Sequence, residues 1–425
     1  MEEKFDHINS IKGELFLLGD KSISHRAVIF SAMAKGKSII KNLSDSEDVK
    51  STISCLQSLS TDFVFKHDEI EVSGNGIFGF SKPSSQLYAG NSGTTARLLT
   101  GLLSAQKFDS VITGDDSLSS RPMNRIIAPL RMMGADIRDN NYKLPIEVNP
   151  VTLLNHIVYR LPVPSAQVKS CLLIAGLHCE EETCIIEEIP TRNHTELLLG
   201  LSSQKKEGAS YIYASKKNYP TAGEYNIPSD ISTAAFFIVL TLLSQNSELI
   251  IKNVSLNETR TGIINILRTM DGSIEIISEN TSNNEKYGDL LVRSSKLVNV
   301  QIEANVIPNI IDEIPILAVA GLFAEGFFEI RNSSELRVKE SDRIKALCYN
   351  FNKLGVQVEE FEDGFSIDGS PKKQNVVFES FGDHRIAMAF SILSLFLEEG
   401  GKINNFECVK ISNPNFISQL KSICR

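Results

Sequence analysis

Two rhythms of apolar positions alternate along this chain. Ala-rich stretches with helical apolar spacing begin near Ser22 (SISHRAVIFSAMA), Gly93 (GTTARLLTGLLSA), Ser165 (SAQVKSCLLIAGL), Ser229 (SDISTAAFFIVLTLL), Asp312 (DEIPILAVAGLFA) and Asp383 (DHRIAMAFSILSL). Each is followed by a polar break and a short run with period-two spacing and β-branched residues, which predicts a strand. KSIIKNL from Lys37, SVITGD from Ser110, CIIEEI from Cys184, ELIIKNV from Glu248 and FFEIRN from Phe327 are the clearest. Most copies continue through a polar loop into a second helix: DVKSTISCLQSL, MNRIIAPLRMMG, TGIINILRTMDG and SDRIKALCYNFNKLG. Three of these stop at Gly134, Gly272 or Gly355 and run into a strand. Glycine just past a helix end suits the left-handed cap position.

The copies recur about every 65–85 residues, and self-similarity at such a period sets the architecture. The unit is helix, strand, loop, helix, strand and a further strand, six times, or three units per domain. The segment before the first copy holds a strand-like ELFLLG with no helix of its own. It is expected to complete a sheet of the C-terminal half. That predicts one domain over 20–228 and another from 1–19 plus 229–425, with hinge crossings near 19–20 and 228–229. The Asn- and Ser-rich stretch Ser278 to Asp289 reads as a surface loop.

A chain of 425 residues exceeds one core, in agreement with two domains. Its net charge of −9 argues against nucleic acid, which needs a broad basic face. Locally concentrated cations can still bind small anions. The seven cysteines form no C-x-x-C pair, which argues against a disulfide framework or zinc site and for a reducing cytoplasm. The opening MEEKFDHINS has no apolar run, so no signal peptide is expected. The longest apolar stretch, Ala234 to Leu243, is about half of a membrane span, so no membrane partner is expected.

Charge changes the picture at the helix starts. A helix N-terminus offers free N–H groups and the positive end of a dipole, which together attract anions. Lys21, Ser22 and Arg26 stand at the first start, where the Gly-Asp-Lys-Ser string lacks the upstream glycine of a P-loop. Gly90 and Gly93 flank the second start and allow a ligand oxygen close to the backbone. Arg121 precedes Pro122, which suits the first position of the next helix. Ser165, Gln167 and Lys169 offer a hydroxyl, an amide and a cation at the third start. Arg192 to Glu196 (RNHTE) occupies the loop after the next strand, where His194 reads as solvated rather than metal-bound. Asp312 stands at the fifth start, where an Asp is ordinarily a cap. Lys339 and Arg343 are four apart with Glu340 beside them, a spacing that puts them on one helical face. Asp383, His384 and Arg385 head the last helix, which is otherwise apolar and so buried. Loops at one end of a repeated scaffold are where sites are built.

These stretches, in order from about Lys12 to the C-terminus, resemble the 5-enolpyruvylshikimate-3-phosphate synthase family. GDKSISHRA, GNSGTTARLL, SSRPM, LRVKESDRI and GDHRIAMA carry the resemblance. GDKS, SAQVK, RNHTE and Asn257-Glu258-Thr259-Arg260 further resemble the family's second class, associated with tolerance of glyphosate. The resemblance implies an α/β fold, α+β in some schemes, of enolpyruvyl transferase type. Its two domains, each of three βαβαββ repeats, would close on substrate. It implies transfer of the enolpyruvyl group of phosphoenolpyruvate to the 5-hydroxyl of shikimate 3-phosphate, with release of phosphate. No metal or organic cofactor is implied. The partners would be the two small substrates and glyphosate as inhibitor, acting on a cytoplasmic monomer.

By the same resemblance, Asp312, Glu340 and Lys21 are catalytic. Lys21, Ser22, Arg26, Ser165, Ala166, Gln167, Arg192, Asp312 and Lys339 would hold shikimate 3-phosphate. Lys21, Gly93, Arg121, Gln167, Arg343, His384 and Arg385 would hold phosphoenolpyruvate. Asp312 would accept the hydroxyl proton, and Glu340 would serve the methylene carbon, aided by Lys21. Guanidinium forks suit a ligand with a phosphate and a carboxylate. The sister UDP-N-acetylglucosamine 1-carboxyvinyltransferase fits less well, since the loop GDDSLSSRPM has no Cys and Ser follows Lys21. A non-catalytic anion-binding paralogue would be expected to have lost Asp312, Glu340 or Lys21, and all three are present.

Overall fold

The computed structural model describes residues 2–425. The chain divides into two compact units. The N-terminal unit is Gly19–Ile227 with Thr281–Glu285. The C-terminal unit holds the residues up to Leu18, Pro228–Asn280 and Lys286–Arg425.

The six Ala-rich stretches form helices α1 (Lys21–Met33), α2 (Gly93–Leu103), α3 (Ala166–Gly176), α4 (Ile231–Leu243), α5 (Ile314–Phe323) and α6 (His384–Ser394). Five start on a side-chain cap, in which Asp20, Ser92, Ser165, Asp230 or Asp383 accepts a backbone N–H of the first turn. The fifth start differs: Glu313 holds the cap position and makes no side-chain cap bond. These helices are buried along nearly their whole length, with partly exposed residues mainly in their first turns. In α1 every residue from Ile23 to Met33 is buried, and in α4 every residue from Ile231 to Leu242. A helix apolar all round is stable only inside a core. In the N-terminal unit α2 packs on α1 and α3, and in the C-terminal unit α4, α5 and α6 pack on one another. Gly101 permits the α2–α3 contact, since a Cβ there would lie 2.3 Å from the Cys171 carbonyl oxygen. Each unit has its own large apolar core built around its three helices.

The sheets of the N-terminal unit share one pattern: a parallel pair, then two antiparallel partners. Glu224–Asn226, Lys35–Lys41, Glu69–Asn75 and Asp62–Phe65 form the first sheet in that order. Leu87–Tyr88, Ser110–Thr113, Lys143–Asn149 and Asp136–Asn140 form the second. Val158–Arg160, Thr183–Glu187, Ala209–Ala214 and Ser203–Lys206 form the third.

The C-terminal unit departs from strict repetition. Lys12–Phe16, from the segment without a helix, pairs parallel with Glu248–Ser255. In the last copy Val376–Glu379 pairs parallel with Gly401–Asn404, and the next partner is Glu3–Phe5 from the N-terminus. The chain after Asn404 turns into Phe406–Ile411 and a helix over Phe416–Ile423, so the N-terminal strand occupies the place of a missing hairpin.

Three local expectations change. Ser278 to Asp289 is a hairpin of strands Asn280–Ser282 and Glu285–Arg293 rather than a loop. Its tip, Thr281–Glu285, belongs to the N-terminal unit instead of the unit of 229–425. Asn283 accepts from the Asn226 N–H and donates to the Glu224 carbonyl, and Asn284 donates to the Leu197 carbonyl. Gly134 and Gly355 are left-handed as expected, at φ 89° and 73°, but the third such cap is Asp271 at φ 68°. Gly272 serves a close approach, with its N–H donating to the Leu267 carbonyl at 2.8 Å. No single helix among the described residues is long and apolar enough to cross a membrane.

Candidate active site

The N-terminal unit gathers cations and hydroxyls at the starts of α1, α2 and α3. Lys21 is the first residue of α1, and its Nζ lies 2.8 Å from Asp48 Oδ2 in the first turn of the helix Glu47–Ser58. Arg26 is one turn further on and only 2% exposed. Its Nε donates to Thr195 Oγ1 (2.8 Å), one terminal nitrogen to Ser170 Oγ (2.6 Å) and the other to the Ser22 carbonyl (2.8 Å). Burial lowers the Arg26 pKa to about 10, with Glu196 opposing the drop and Arg192 reinforcing it. His25 beside it is held well below its ordinary pKa by burial and by the charges of Lys21 and Arg26. Its Nδ1 meets Thr52 Oγ1 (2.7 Å), which meets Thr95 Oγ1 (2.7 Å) in α2, so a hydroxyl chain ties the two starts together.

Gly93 opens α2, and a Cβ there would lie 2.5 Å from an Arg97 guanidinium nitrogen and 3.5 Å from one of Arg121. Glycine therefore lets two guanidiniums close in on one helix start. Arg97 donates to Gln167 Oε1 (2.6 Å), and Gln167 Nε2 donates to Thr94 Oγ1 (2.9 Å). Arg121 donates to Asn91 Oδ1 (2.8 Å). Pro122 lies outside the next helix, which begins at Asn124 after a Met123 cap. Ser165 caps α3, with Ala166 and Gln167 as its first two residues. Arg192 lies half-buried between the strand Thr183–Glu187 and the helix His194–Leu199.

Two readings in this unit are corrected. Lys169 is fully buried and pairs with Glu187 (2.9 Å) and Glu196 (2.7 Å), so its cation is neutralised inside the unit. It is one turn into α3, on a face turned to the core. His194 is buried rather than solvated, with Nδ1 2.6 Å from Glu285 Oε1.

The C-terminal unit gathers guanidiniums and carboxylates. Arg343, 1% exposed, opens the helix Arg343–Lys353 behind its Asp342 cap. Its Nε lies 2.7 Å from Asp383 Oδ2, and its terminal nitrogens lie 3.3 Å from Asp312 Oδ1 and 2.6 Å from Glu340 Oε2. Burial acts to lower the Arg343 pKa, but the charges of Asp383, Glu340 and Asp312 outweigh it and hold the group above its ordinary value. Burial likewise acts to raise the Asp383 carboxyl, and Arg343 overrides it, leaving that pKa below the usual carboxylate range. Asp312 is not a cap. It lies in the turn between helix Ile307–Ile310 and α5, where three cations approach it: Arg343, Lys339 Nζ at 3.6 Å and Arg385 at 3.7 Å. Lys339 and Arg343 do not share a helical face. Lys339 ends the short helix Ser334–Val338, and the two cations meet through Asp312 Oδ1. His384, 1% exposed, and Arg385 are the first two residues of α6, and Arg385 donates to the Asp312 carbonyl at 2.8 Å.

Sequence reading assigned no role to Arg97, Asp48, Thr195, Ser170 or Glu313, although Arg97, Thr195 and Glu313 stand inside its motifs. Arg97 lies one turn after Gly93, where the helix-start rule already points, and Asp48 is the second residue of Glu47–Ser58, which the rule finds once it is extended to second helices. Thr195, Ser170 and Glu313 become legible only through packing.

A scaffold of repeated sheets around buried helices, with cations and acids at the helix starts, defines an enolpyruvyl transferase fold. The enolpyruvyl transferase NikO of Streptomyces tendae shares that fold with a TM-score of 0.77, covering 100% of this chain and 97% of that one at 12% identity. The family model for EPSP synthase (3-phosphoshikimate 1-carboxyvinyltransferase) matches residues 5–420, and the chain belongs to that family. A 3-phosphoshikimate 1-carboxyvinyltransferase of Petrotoga mobilis is 47% identical, with 97% of each chain covered. That of Oceanobacillus iheyensis is 44% identical, with 98% of this chain and 97% of the relative covered. An EPSP synthase structure from Acinetobacter baumannii superposes with a TM-score of 0.87 at 36% identity, covering 100% of this chain and 98% of that one.

Proposed function

We propose that the residues at these helix starts perform the family's reaction. The chain is an enzyme with the family's activity, transfer of the enolpyruvyl group of phosphoenolpyruvate to the 5-hydroxyl of shikimate 3-phosphate with release of phosphate. Lys21, Ser22, Arg26, Ser165, Ala166, Gln167 and Arg192 bind shikimate 3-phosphate, with Lys339 and Asp312 as further contacts. Arg343, His384 and Arg385 bind phosphoenolpyruvate, with Lys21, Gly93, Arg121 and Gln167. The observation that carries this reading is Asp312 held by three cations, Lys339, Arg343 and Arg385. That arrangement offers a base beside a set of anion donors.

The chemistry needs a proton on the methylene carbon and a base for the attacking hydroxyl. Glu340, aided by Lys21, gives a proton to the methylene carbon, C2 gains cationic character, and the 5-hydroxyl oxygen bonds to it while Asp312 takes the hydroxyl proton. In the second step the C–O bond to phosphate breaks with its electron pair on the phosphate, Glu340 takes a proton back from the new methyl group as the enol ether double bond forms, and the proton held by Asp312 leaves with the phosphate. Glu340 begins in an ion pair with Arg343 at 2.6 Å. An incoming phosphate or carboxylate that takes over this guanidinium also places a like charge beside Glu340, which favours its protonated form. Binding the donor thus prepares the acid.

The reading extends to the glyphosate-tolerant second class, supported by GDKS, SAQVK, RNHTE and NETR. A titration of glyphosate against phosphoenolpyruvate tests it, and strong inhibition at concentrations near the phosphoenolpyruvate KM removes the subclass. It also extends to a cytoplasmic monomer; seven free thiols, all buried except the half-buried Cys424, support the compartment. Light scattering of purified protein tests the monomer. The function itself is tested by phosphate release from phosphoenolpyruvate with shikimate 3-phosphate, run beside UDP-N-acetylglucosamine as acceptor. Release with shikimate 3-phosphate alone is expected. Release with the nucleotide sugar alone, or with neither, overturns the reading.

A further inference from the structure

The Asn257–Arg260 motif has no part in the site described above, yet its arginine ends beside the neighbour of Asp312. Asn257 shapes the turn, with Oδ1 accepting from the Thr259 N–H (2.9 Å) and hydroxyl (2.7 Å). Arg260 is 1% exposed and donates to Ser232 Oγ at 2.6 Å, in the first turn of α4. The Ser232 hydroxyl in turn donates to Glu313 Oε1. The direction is fixed, because a guanidinium can only donate and a carboxylate can only accept. Arg260 itself lies 3.7 Å from the same Glu313 oxygen.

Glu313 is fully buried, and its second oxygen has no hydrogen-bond partner. Its other near cation is Arg385, at 3.8 Å. One buried carboxylate therefore lies between two guanidiniums, one from the motif and one from the proposed phosphoenolpyruvate clamp. A charge with no access to water persists only where opposite charges balance it. Asp312 cannot seat Arg385 alone, because its carboxylate is shared with Lys339 and Arg343.

We propose that Glu313 is a positioning residue for phosphoenolpyruvate binding: anchored by Arg260 through Ser232, it supplies the counter-charge that seats Arg385 against the Asp312 carbonyl. This rests on the enolpyruvyl-transfer reading and gives the Asn257–Arg260 motif a physical role in it. It also predicts a direction that simple electrostatics would reverse. Removing a negative charge near an anion site should tighten anion binding, whereas unseating Arg385 should weaken it.

The test is steady-state kinetics of Glu313→Gln, which keeps the shape and an acceptor for Ser232. The expected result is a rise of about tenfold in the phosphoenolpyruvate KM, roughly the loss of one charge-assisted contact, with the shikimate 3-phosphate KM within about twofold. Adding Arg260→Gln to this variant gives no further rise, because Arg260 acts through Glu313. A folded variant with an unchanged or lower phosphoenolpyruvate KM overturns the proposal, as does an equal rise in both KM values. If Glu313→Gln does not fold, Ser232→Ala carries the test, with a rise of roughly two- to threefold in the phosphoenolpyruvate KM alone expected for one neutral hydrogen bond, and no such split overturning the proposal. Wild-type protein that releases no phosphate from the two substrates overturns the underlying reading instead, and the proposal with it.

Discussion

Arg26 in the N-terminal unit and Arg343 in the C-terminal unit are both buried arginines in the first turn or so of a helix, yet they have opposite electrostatics. The hydrogen-bond acceptors of Arg26 are neutral, two hydroxyls and a carbonyl, and Glu196, Asp20 and Glu285 act on it only through their charges. Burial therefore dominates and its pKa falls to about 10. Arg343 is surrounded by three carboxylates, and its pKa rises despite equal burial. A guanidinium that donates to hydroxyls has no hydrogen-bonded acid to cancel its charge, and its positive potential favours an anion. In the proposed reaction, a guanidinium already holding acids must exchange them for its ligand, and that exchange would hand two carboxyl groups, Asp312 and Glu340, to the chemistry. On this reading the N-terminal set is built to bind and the C-terminal set to react.

The strongest way to break this contrast is Arg343→Gln. It leaves buried Asp383 without its paired guanidinium, which costs roughly 3–5 kcal/mol of stability. Loss of about 10³-fold in kcat/KM accompanies it. Thermal unfolding and phosphate-release kinetics read the two losses, and a stable, active variant would sink the account of the carboxylate cluster. Glu340→Gln comes next: kcat falls by ~10²–10³ while both substrates still bind, since the side chain keeps its shape but cannot carry the proton. Near-wild-type turnover in that variant removes Glu340 from the mechanism. Arg26→Lys is milder. A lysine cannot reach Thr195, Ser170 and the Ser22 carbonyl together, so the shikimate 3-phosphate KM rises by ~10-fold with a smaller change for phosphoenolpyruvate.

The smallest effect at neutral pH appears only on acidification. Burial lowers the His178 pKa in the N-terminal unit from 6.5 to about 4. Between those values the unfolded chain holds more protons at this residue than the folded chain, so stability falls as pH falls. The loss is on the order of 3 kcal/mol by about pH 4. His25, lowered in the same sense, adds to it. In the C-terminal unit the Asp383 carboxyl lies below its ordinary 3.8, so its contribution is intact above that value and is lost only as pH falls through the lowered pKa. The N-terminal unit is thus expected to loosen first. His178→Gln should flatten the fall of Tm between pH 6.5 and 4 without altering activity at pH 7, and an unchanged slope would remove this histidine as the cause.

Much of this was legible one residue at a time. Arg385 at the head of an apolar helix, and Gly93 among hydroxyls at another, stood out because charged or flexible residues rarely interrupt a buried element without reason. Lys169 was misread because its position in the first turn says nothing about which face it takes. Only the strand and helix packed against that face, carrying Glu187 and Glu196, decide it. His194 was misread for the same reason: its partner, Glu285, is supplied by a hairpin tip far along the chain. Glu313 was invisible as a functional residue, since an acidic pair at a helix start looks the same whether it caps, binds or positions.

The sequence by itself determined the six buried helices, most of the strands between them, the caps that start most helices, and the residues placed at those starts. These depend on side-chain periodicity and on local hydrogen bonding, which act over a few residues. Only the tertiary structure decided which strand closes each sheet, as with Glu3–Phe5 and Lys12–Phe16, and which charges meet, as with Asp312 among three cations and Glu313 between two. Such pairings join residues hundreds of positions apart or turn on the face a side chain takes, and a linear pattern carries no record of either.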